Sequence, residues 1–299
     1  MARTTPLRPV DVEGLFPELV PLRRTAIRLH PRAGTPFPGE SSVGGPLMWP
    51  ADEPWPSCPC TSHPQGWDRP ATDGPVPLVS VAQIYRRDVP QLVFPDGCDL
   101  LQVLWCPFIV DGCTAPTPRV YWRSAESIEW ILEATPPTVS TAPEDSIPDP
   151  CVLHPEPVTE YPSWDMPDDL RDALRERMEA MEARTGWMYH YHLADAPGTK
   201  LGGFPGWTQE PWWPECPGCG QTMEHLLTVS SWEYDGESWR SWLPAEDRDS
   251  ETGQERRDPA GNRAAHNPAN VMIGDAGGVY IFQCSTCPDR PVEHHWDCS

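Results

Sequence analysis

Cys216-Pro-Gly-Cys219-Gly220 and Cys284-Ser-Thr-Cys287 constrain the fold of this chain more than any other stretch. Two thiols separated by two residues can grip one ion, because the tight turn between them aims both sulfurs the same way. Gly220 supplies the backbone freedom such a turn needs. Taken together, Cys216, Cys219, Cys284 and Cys287 form a four-thiolate set of the kind that holds a structural zinc. The fold must then carry Trp207–Gly220 against the C-terminal strands, across a long excursion of chain. Two other readings stay open: a redox pair, and thiols buried as small apolar side chains. A thioredoxin-like site carries one such pair within a βαβ pattern, whereas this sequence has two pairs and no such unit.

The stretch leading into the first pair has a counterpart upstream. Gly44-Gly45-xxx-Trp49 followed by Trp55-Pro56-x-Cys58-Pro59 recurs without a gap as Gly202-Gly203-xxx-Trp207 followed by Trp213-Pro214-x-Cys216-Pro217. Rare residues agreeing at identical spacing point to an internal duplication. The order continues: Leu78–Ile84 corresponds to Met223–Val229 as strands, and Asp99–Cys106 to Gly277–Cys284 as strands ending in a cysteine. In the first copy the thiols are irregular, with Cys58 and Cys60 one residue too close and Cys106 followed only at Cys113. These four are a possible second metal site in which His63 could substitute as a ligand. The alternative is a vestigial set packed in the interior.

Between the copies, residues 135–165 are rich in Pro, Thr, Glu and Asp, and read as a connection. A helix is predicted from about Pro167 to Thr185, with Asp168 and Asp169 at its positive end and Gly186 as its stop. Leu170, Leu174, Met178 and Met181 fall on one face, as a core stripe would. Trp187–His192 alternates and predicts a strand with His190 and His192 on one side. Residues 244–270 are polar and aperiodic, and predict a long mobile loop. Val292–Cys298 predicts an edge strand. The fold class expected is α+β and strand-rich: an N-terminal lobe over 1–134, the connection, and a C-terminal lobe over 166–299.

A formal charge of −22 excludes a basic face for nucleic acid, because phosphate affinity comes from Lys and Arg. The acid is either ordinary solubilising surface or the means of recruiting a basic partner. With 40 prolines and 22 glycines the composition approaches a low-complexity one, but 15 tryptophans argue for folding. Lys200 is the only lysine, which reads as a composition effect of a GC-rich coding sequence. Met1–Gly14 lacks the apolar core of a secretory signal, and no apolar run is long enough to span a bilayer. Eleven cysteines then read as reduced thiols and metal ligands in a cytoplasmic protein.

Ser42-Val-Gly-Gly45-xxx-Trp-Pro50, Leu78–Ile84, Lys200-Leu-Gly-Gly-Phe-Pro-Gly-Trp207-Thr-Gln209, the 216–220 knuckle and Gly274-Asp275-xx-Gly278-Val-Tyr-Ile-Phe282 resemble the YwqG-like bacterial domains of unknown function. The resemblance runs from about residue 25 to the C-terminus. More distantly, the chain is similar to the eukaryotic programmed cell death protein 2 family, whose members escort a newly made ribosomal protein. The resemblance implies a cytoplasmic, non-secreted protein and ligand roles for Cys216, Cys219, Cys284 and Cys287. It supplies no catalytic residues.

The function expected first is a non-enzymatic, zinc-stabilised protein-binding module, an escort for a basic client, with Trp49, Trp55, Trp207, Trp212 and Trp213 as candidate anchors. Ordinary packing is the other role for such rings beside Pro and Gly. An immunity-type binder of a toxin is a second possibility. An enzyme working in a cleft between the lobes is the third, although the chain has no GxSxG elbow, phosphate loop or HExxH. Four thiolates also leave a metal no open position for water. Asp275 near His190 or His192 would be the arrangement to look for.

Overall fold

A computed structural model describes residues 2–60, 62–63, 72–109, 116–255 and 259–298. Strands dominate: β1 (Arg24–Arg28), β2 (Arg32–Ala33), β3 (Ser42–Val43), β4 (Val79–Tyr85), β5 (Leu100–Ile109), β6 (Pro116–Arg123), β7 (Cys151–Val152), β8 (Glu156–Glu160), β9 (Lys200–Gly202), β10 (Glu224–Ser230), β11 (Gly278–Gln283) and β12 (Val292–Asp297). Sheet I has the order β6-β5-β4-β3-β7-β2, and sheet II the order β12-β11-β10-β9-β1-β8. Each sheet is thus a short strand (β3 or β9) flanked on one side by a three-strand meander and on the other by two strands from elsewhere in the chain. The meanders carry a bulge at the same place: Val81 in β4 and Leu226 in β10 are each the extra residue against the next strand.

The outer two strands are exchanged. Sheet II takes β1 from the N-terminal region, and sheet I takes β7 from beyond the middle of the chain. The stretch expected as a connection, 135–165, therefore contributes a strand to each sheet, β7 to sheet I and β8 to sheet II. Its prolines and acids hid this because both strands are short or at a sheet margin, where little apolar patterning is required.

The largest apolar cluster lies between the sheets. Val43, Val81, Ile84, Leu101, Val103 and Trp105 of sheet I join Ile27, Leu201, Leu227, Val229, Val279 and Ile281 of sheet II. At roughly 1.5–3 kcal/mol for each fully buried aliphatic side chain, this shared layer binds the two sheets into one core. The other face of each sheet has its own apolar cap. Leu104, Cys106 and Phe108 of sheet I pack with Leu47 and Trp49, while Tyr280 and Phe282 of sheet II pack with Trp207, Met223 and Cys284. Strands β5 and β11 are covered on both sides, so their sequences are continuous apolar runs rather than alternating ones.

The long helix spans Asp168–Thr185 and ends at Gly186, whose φ of 71° is left-handed and whose N–H reaches the Glu182 carbonyl. Leu174 and Met181 are buried, with Leu170 and Met178 beside them, against Phe16, Leu19, Tyr161 and Tyr189. The expected core stripe is the observed one. Two other expectations are corrected. Tyr189–Leu193 is a π-turn, not a strand: Tyr189, His192 and Leu193 are all buried, and no strand puts residues at that spacing on one side. Within 244–270, Ala245–Asp247 is a 3₁₀ turn and Pro259–His266 a helix. Asp247 there is held by Arg3 at 3.0 Å and by Arg32, partners more than two hundred residues upstream that leave no local pattern.

Candidate metal centre and adjoining cleft

The knuckle is built by a short antiparallel return. The Met223 N–H donates to the Pro214 carbonyl at 2.9 Å, and Cys216 N–H to Gln221 at 2.8 Å, while Gly220 N–H closes the turn onto the Cys216 carbonyl at 2.8 Å. Gly220 takes a φ of 70°, the left-handed conformation expected of it. The second pair lies in the turn between β11 and β12, where Cys284 N–H bonds Pro291 and Arg290 N–H bonds Cys287. Sheet II brings the two turns together because β10, which follows the knuckle, pairs with β11.

All four sulfurs lie within 4.8 Å of one another. Cys216 and Cys287 are separated by 3.8 Å, and Cys219 and Cys284 by 3.7 Å. Tetrahedral coordination with bonds of about 2.3 Å requires sulfur–sulfur edges of about 3.8 Å. These two edges match that geometry, and the four-cysteine group could hold a metal ion. Gly218 N–H points at the Cys216 sulfur and Cys287 N–H at the Cys284 sulfur, each at 3.4 Å, and such amides stabilise thiolate charge. The Cys287 amide lowers the Cys284 thiol to about 7, whereas hydrogen bonding with the neighbouring thiols, Cys219 foremost, raises Cys287 to about 12. Four thiolates at this spacing repel one another, and a cation is what lets all four ionise together. Cys216 and Cys284 are buried on Trp207 and Phe282, Cys287 is half-buried and Cys219 exposed.

A second group forms on the outer face of sheet I. Cys58, His63 and Cys106 place one donor atom each within 4.8 Å of the others, and all three residues are buried. This group could also hold a metal ion. Cys60 is half-buried and packs against the same apolar cluster, and Cys113 lies outside the described residues. The His63 Nδ1 lies 3.2 Å from the Thr72 carbonyl oxygen, which can only accept, so Nδ1 carries the proton. Its Nε2 is buried with no hydrogen-bond partner. An orphaned polar atom of that kind costs about 1–3 kcal/mol.

The five candidate tryptophan anchors do not form one surface. Trp49 and Trp207 are buried in the caps of the two sheets, at 1% and 4% exposure, which removes them as anchors. Their spacing to the next ring reflects packing: Trp49 lies 5.2 Å from Trp55, and Trp207 lies 6.0 Å from Trp213. Trp55 and Trp213 are half-buried, their indole N–H groups held by the Leu78 carbonyl and by Asp165. Trp212 alone of the five is exposed. The histidines also separate. The buried His192 ring accepts from Met188 N–H and donates to the Glu237 carbonyl, whereas His190 bonds Ser163 at an exposed position. His190 lines a small cavity of about 100 Å³ with Asp195, Trp207 and Tyr280, and Asp275 is not part of that lining. Burial raises Asp195, which lines this cavity with His190, to about 7.

Sequence reasoning missed the interior charges of sheet II. Lys200 is fully buried and donates to Glu160 at 2.7 Å and to the Ala196 carbonyl at 2.5 Å. The same carboxylate accepts from Ala196 and Phe204 N–H, both at 2.8 Å. A Cβ on Gly203 would collide with Glu160 Oε2, so the second glycine of the motif is required by the ion pair. The signal was available: a lysine that occurs once, inside a motif, in a chain whose other basic residues are arginine.

Sheet II is also open beside β9. On one side β9 pairs with Ala26–Arg28 of β1, and on the other only with Leu227 and Thr228 of β10. Beyond Gly202 the chain turns away, leaving Arg24 and Thr25 facing Glu224–Leu226 across a cleft of about 1060 Å³. The strands flanking a missing one stand about 10 Å apart, the width of one extended chain. Arg24 lies over Phe204 and Trp213, with ring distances of 4.4 and 5.1 Å, and Arg23 and Arg290 also line the cleft. Its acids are occupied: Asp165 accepts from Trp207 and Trp213, and Glu224 from Ser285.

The molecule is a strand-rich α+β protein with a knuckle-type four-cysteine group able to hold a metal ion. Among the described residues no helix is long and apolar enough to cross a membrane. A scan against models of known protein families finds no match for this chain, and a search of curated proteins finds no relative.

Proposed function

We propose that this chain is a zinc-stabilised, non-enzymatic module that binds an extended peptide segment of a partner protein in the cytoplasm. The slot beside β9 carries the reading. It is lined by Arg24 and Thr25 of β1 on one side and Glu224–Leu226 of β10 on the other, so a peptide laid along the line of β9 would gain main-chain hydrogen bonds by completing the sheet. Arg24 and Arg290 bring cations to the slot in a protein of net charge −22, while Arg23 at its margin is paired with Glu13 at 3.0 Å. The segment it takes therefore carries carboxylates, even where its parent protein is drawn in by the acidic surface. Zinc is the metal that four thiolates at tetrahedral spacing suit best among common ions without redox chemistry. The shared strand order and the matching bulges support an internal duplication, and the motifs within it support kinship with the YwqG-like domains.

Fluorescence anisotropy with extended nine-residue peptides tests the reading. Acidic peptides should bind the zinc-loaded protein, and Arg24→Glu should weaken them at least tenfold while leaving the melting temperature near that of the parent. Preference for basic peptides, or indifference to Arg24→Glu, would remove the slot as the site.

A further inference from the structure

We propose that Cys58, His63 and Cys106 form a second, interior site for a thiophilic divalent cation, with Cys60 as its fourth donor. The site is separate from the four-cysteine group, which lies on the other sheet. Three observations converge on it. The donor atoms are within 4.8 Å of one another although three different strands supply them. Cys58 lies in the short strand Ser57–Cys58, paired with Val76–Pro77; His63 lies in Ser62–His63, paired with Thr72–Asp73; Cys106 comes from β5. The imidazole is set as a ligand's would be: Nδ1–H is tied to a backbone carbonyl, which fixes the ring and directs the Nε2 lone pair inward. That lone pair has no partner, and the residue is fully buried.

Cys60, two residues from Cys58 and packed against the same cluster, is the thiol placed to supply the fourth donor, although its sulfur is not among the atoms that lie within 4.8 Å of one another. The spacing that breaks the CxxC pattern is thus a change of ligand set: a CxC pair with a histidine in place of the fourth thiol. The donors Cys58, His63 and Cys106 are at most 4% exposed, against an exposed Cys219 in the other group. An ion held here exchanges with solvent more slowly than one in the four-cysteine group.

Metal content of the full-length protein, purified without added chelator, tests the proposal alongside the cobalt(II)-substituted form. The expected result is two zinc ions per chain and two cobalt spectra, one of four sulfurs and one of three sulfurs and a nitrogen. His63→Gln should remove one equivalent and only the nitrogen-containing spectrum. His63→Cys should keep both equivalents and convert the second spectrum to the four-sulfur type, a result that a purely structural histidine would not give. One zinc ion in the parent, retained in His63→Gln, would overturn the proposal. So would two ions that both survive His63→Gln. If His63→Gln does not fold, the cobalt spectrum of the parent decides, since absence of a nitrogen-containing site there is equally fatal.

Discussion

The two sheets share a short strand leading into a three-strand meander with its bulge at the same place, yet carry different chemistry on their outer faces. On sheet II four cysteines sit in two turns at the rim, one of them exposed. On sheet I two cysteines and a histidine sit inside the apolar cap, beside Phe108 at 5.3 Å from the His63 ring. A turn presents its donors to any ion that arrives, because its neighbours on the outer side are water. A buried set has to be assembled together with the core that covers it. The same contrast holds at the short central strands. Ser42 of β3 and Lys200 of β9 stand two residues before the paired glycines, both fully buried, but only Lys200 brings a charge and a carboxylate partner.

The largest effect expected concerns the rim. Thiolate zinc sites contribute on the order of 10 kcal/mol to folding. Because the sheets share one core, Cys284→Ser should destabilise the whole chain as one unit rather than its C-terminal half alone. Calorimetry of the parent, with and without chelator, and of the variant should therefore show a single lowered transition. Two resolved transitions, the upper one unmoved, would mean that sheet I folds alone and that the shared core is weaker than its composition implies.

Next comes the buried ion pair of β9, which has no counterpart at Ser42 of β3. Lys200→Met leaves Glu160 buried without its cation, and breaking a buried pair by removing one partner costs about 3–5 kcal/mol. Adding Glu160→Gln should recover part of this. The recovery is incomplete because one amide oxygen cannot replace both carboxylate oxygens, which accept from Ala196 and Phe204. Denaturant titration of the parent, the single variant and the double variant measures the difference. A cost below about 1 kcal/mol for Lys200→Met would show that the pair is not sealed from water.

These contrasts explain which parts were legible beforehand. Strands β4, β5, β10 and β11 announce themselves by apolar runs, and the long helix by its stripe and its glycine stop. The four-cysteine group follows from spacing alone, because each CxxC specifies its own turn. Strands β7 and β8 were invisible, since two to five residues among prolines carry no period. His63 was visible as a spare ligand, but its role depends on a carbonyl nine residues away in a paired strand. Glu160 was read as part of a connection, and only the fold places it under Lys200. Local chemistry is written locally; partnerships made across sheets are not.

The smallest effect separates two adjacent rings. Trp212 and Trp213 follow one another, whereas the similarly spaced upstream stretch reads Pro54-Trp55. Trp213 lines the cleft, carries the Asp165 hydrogen bond at 2.6 Å and lies under Arg24. Trp212 is 43% exposed and leans on His295, with ring centroids 5.1 Å apart. Removing a surface ring with so little covering it should change stability by no more than about 0.5 kcal/mol. Since Trp212 lies outside the cleft lining, Trp212→Ala should also leave peptide affinity unchanged. A variant of unaltered stability that no longer binds would shift the occupied surface from the slot beside β9 to the outer face of β12, where His295 and Trp212 meet.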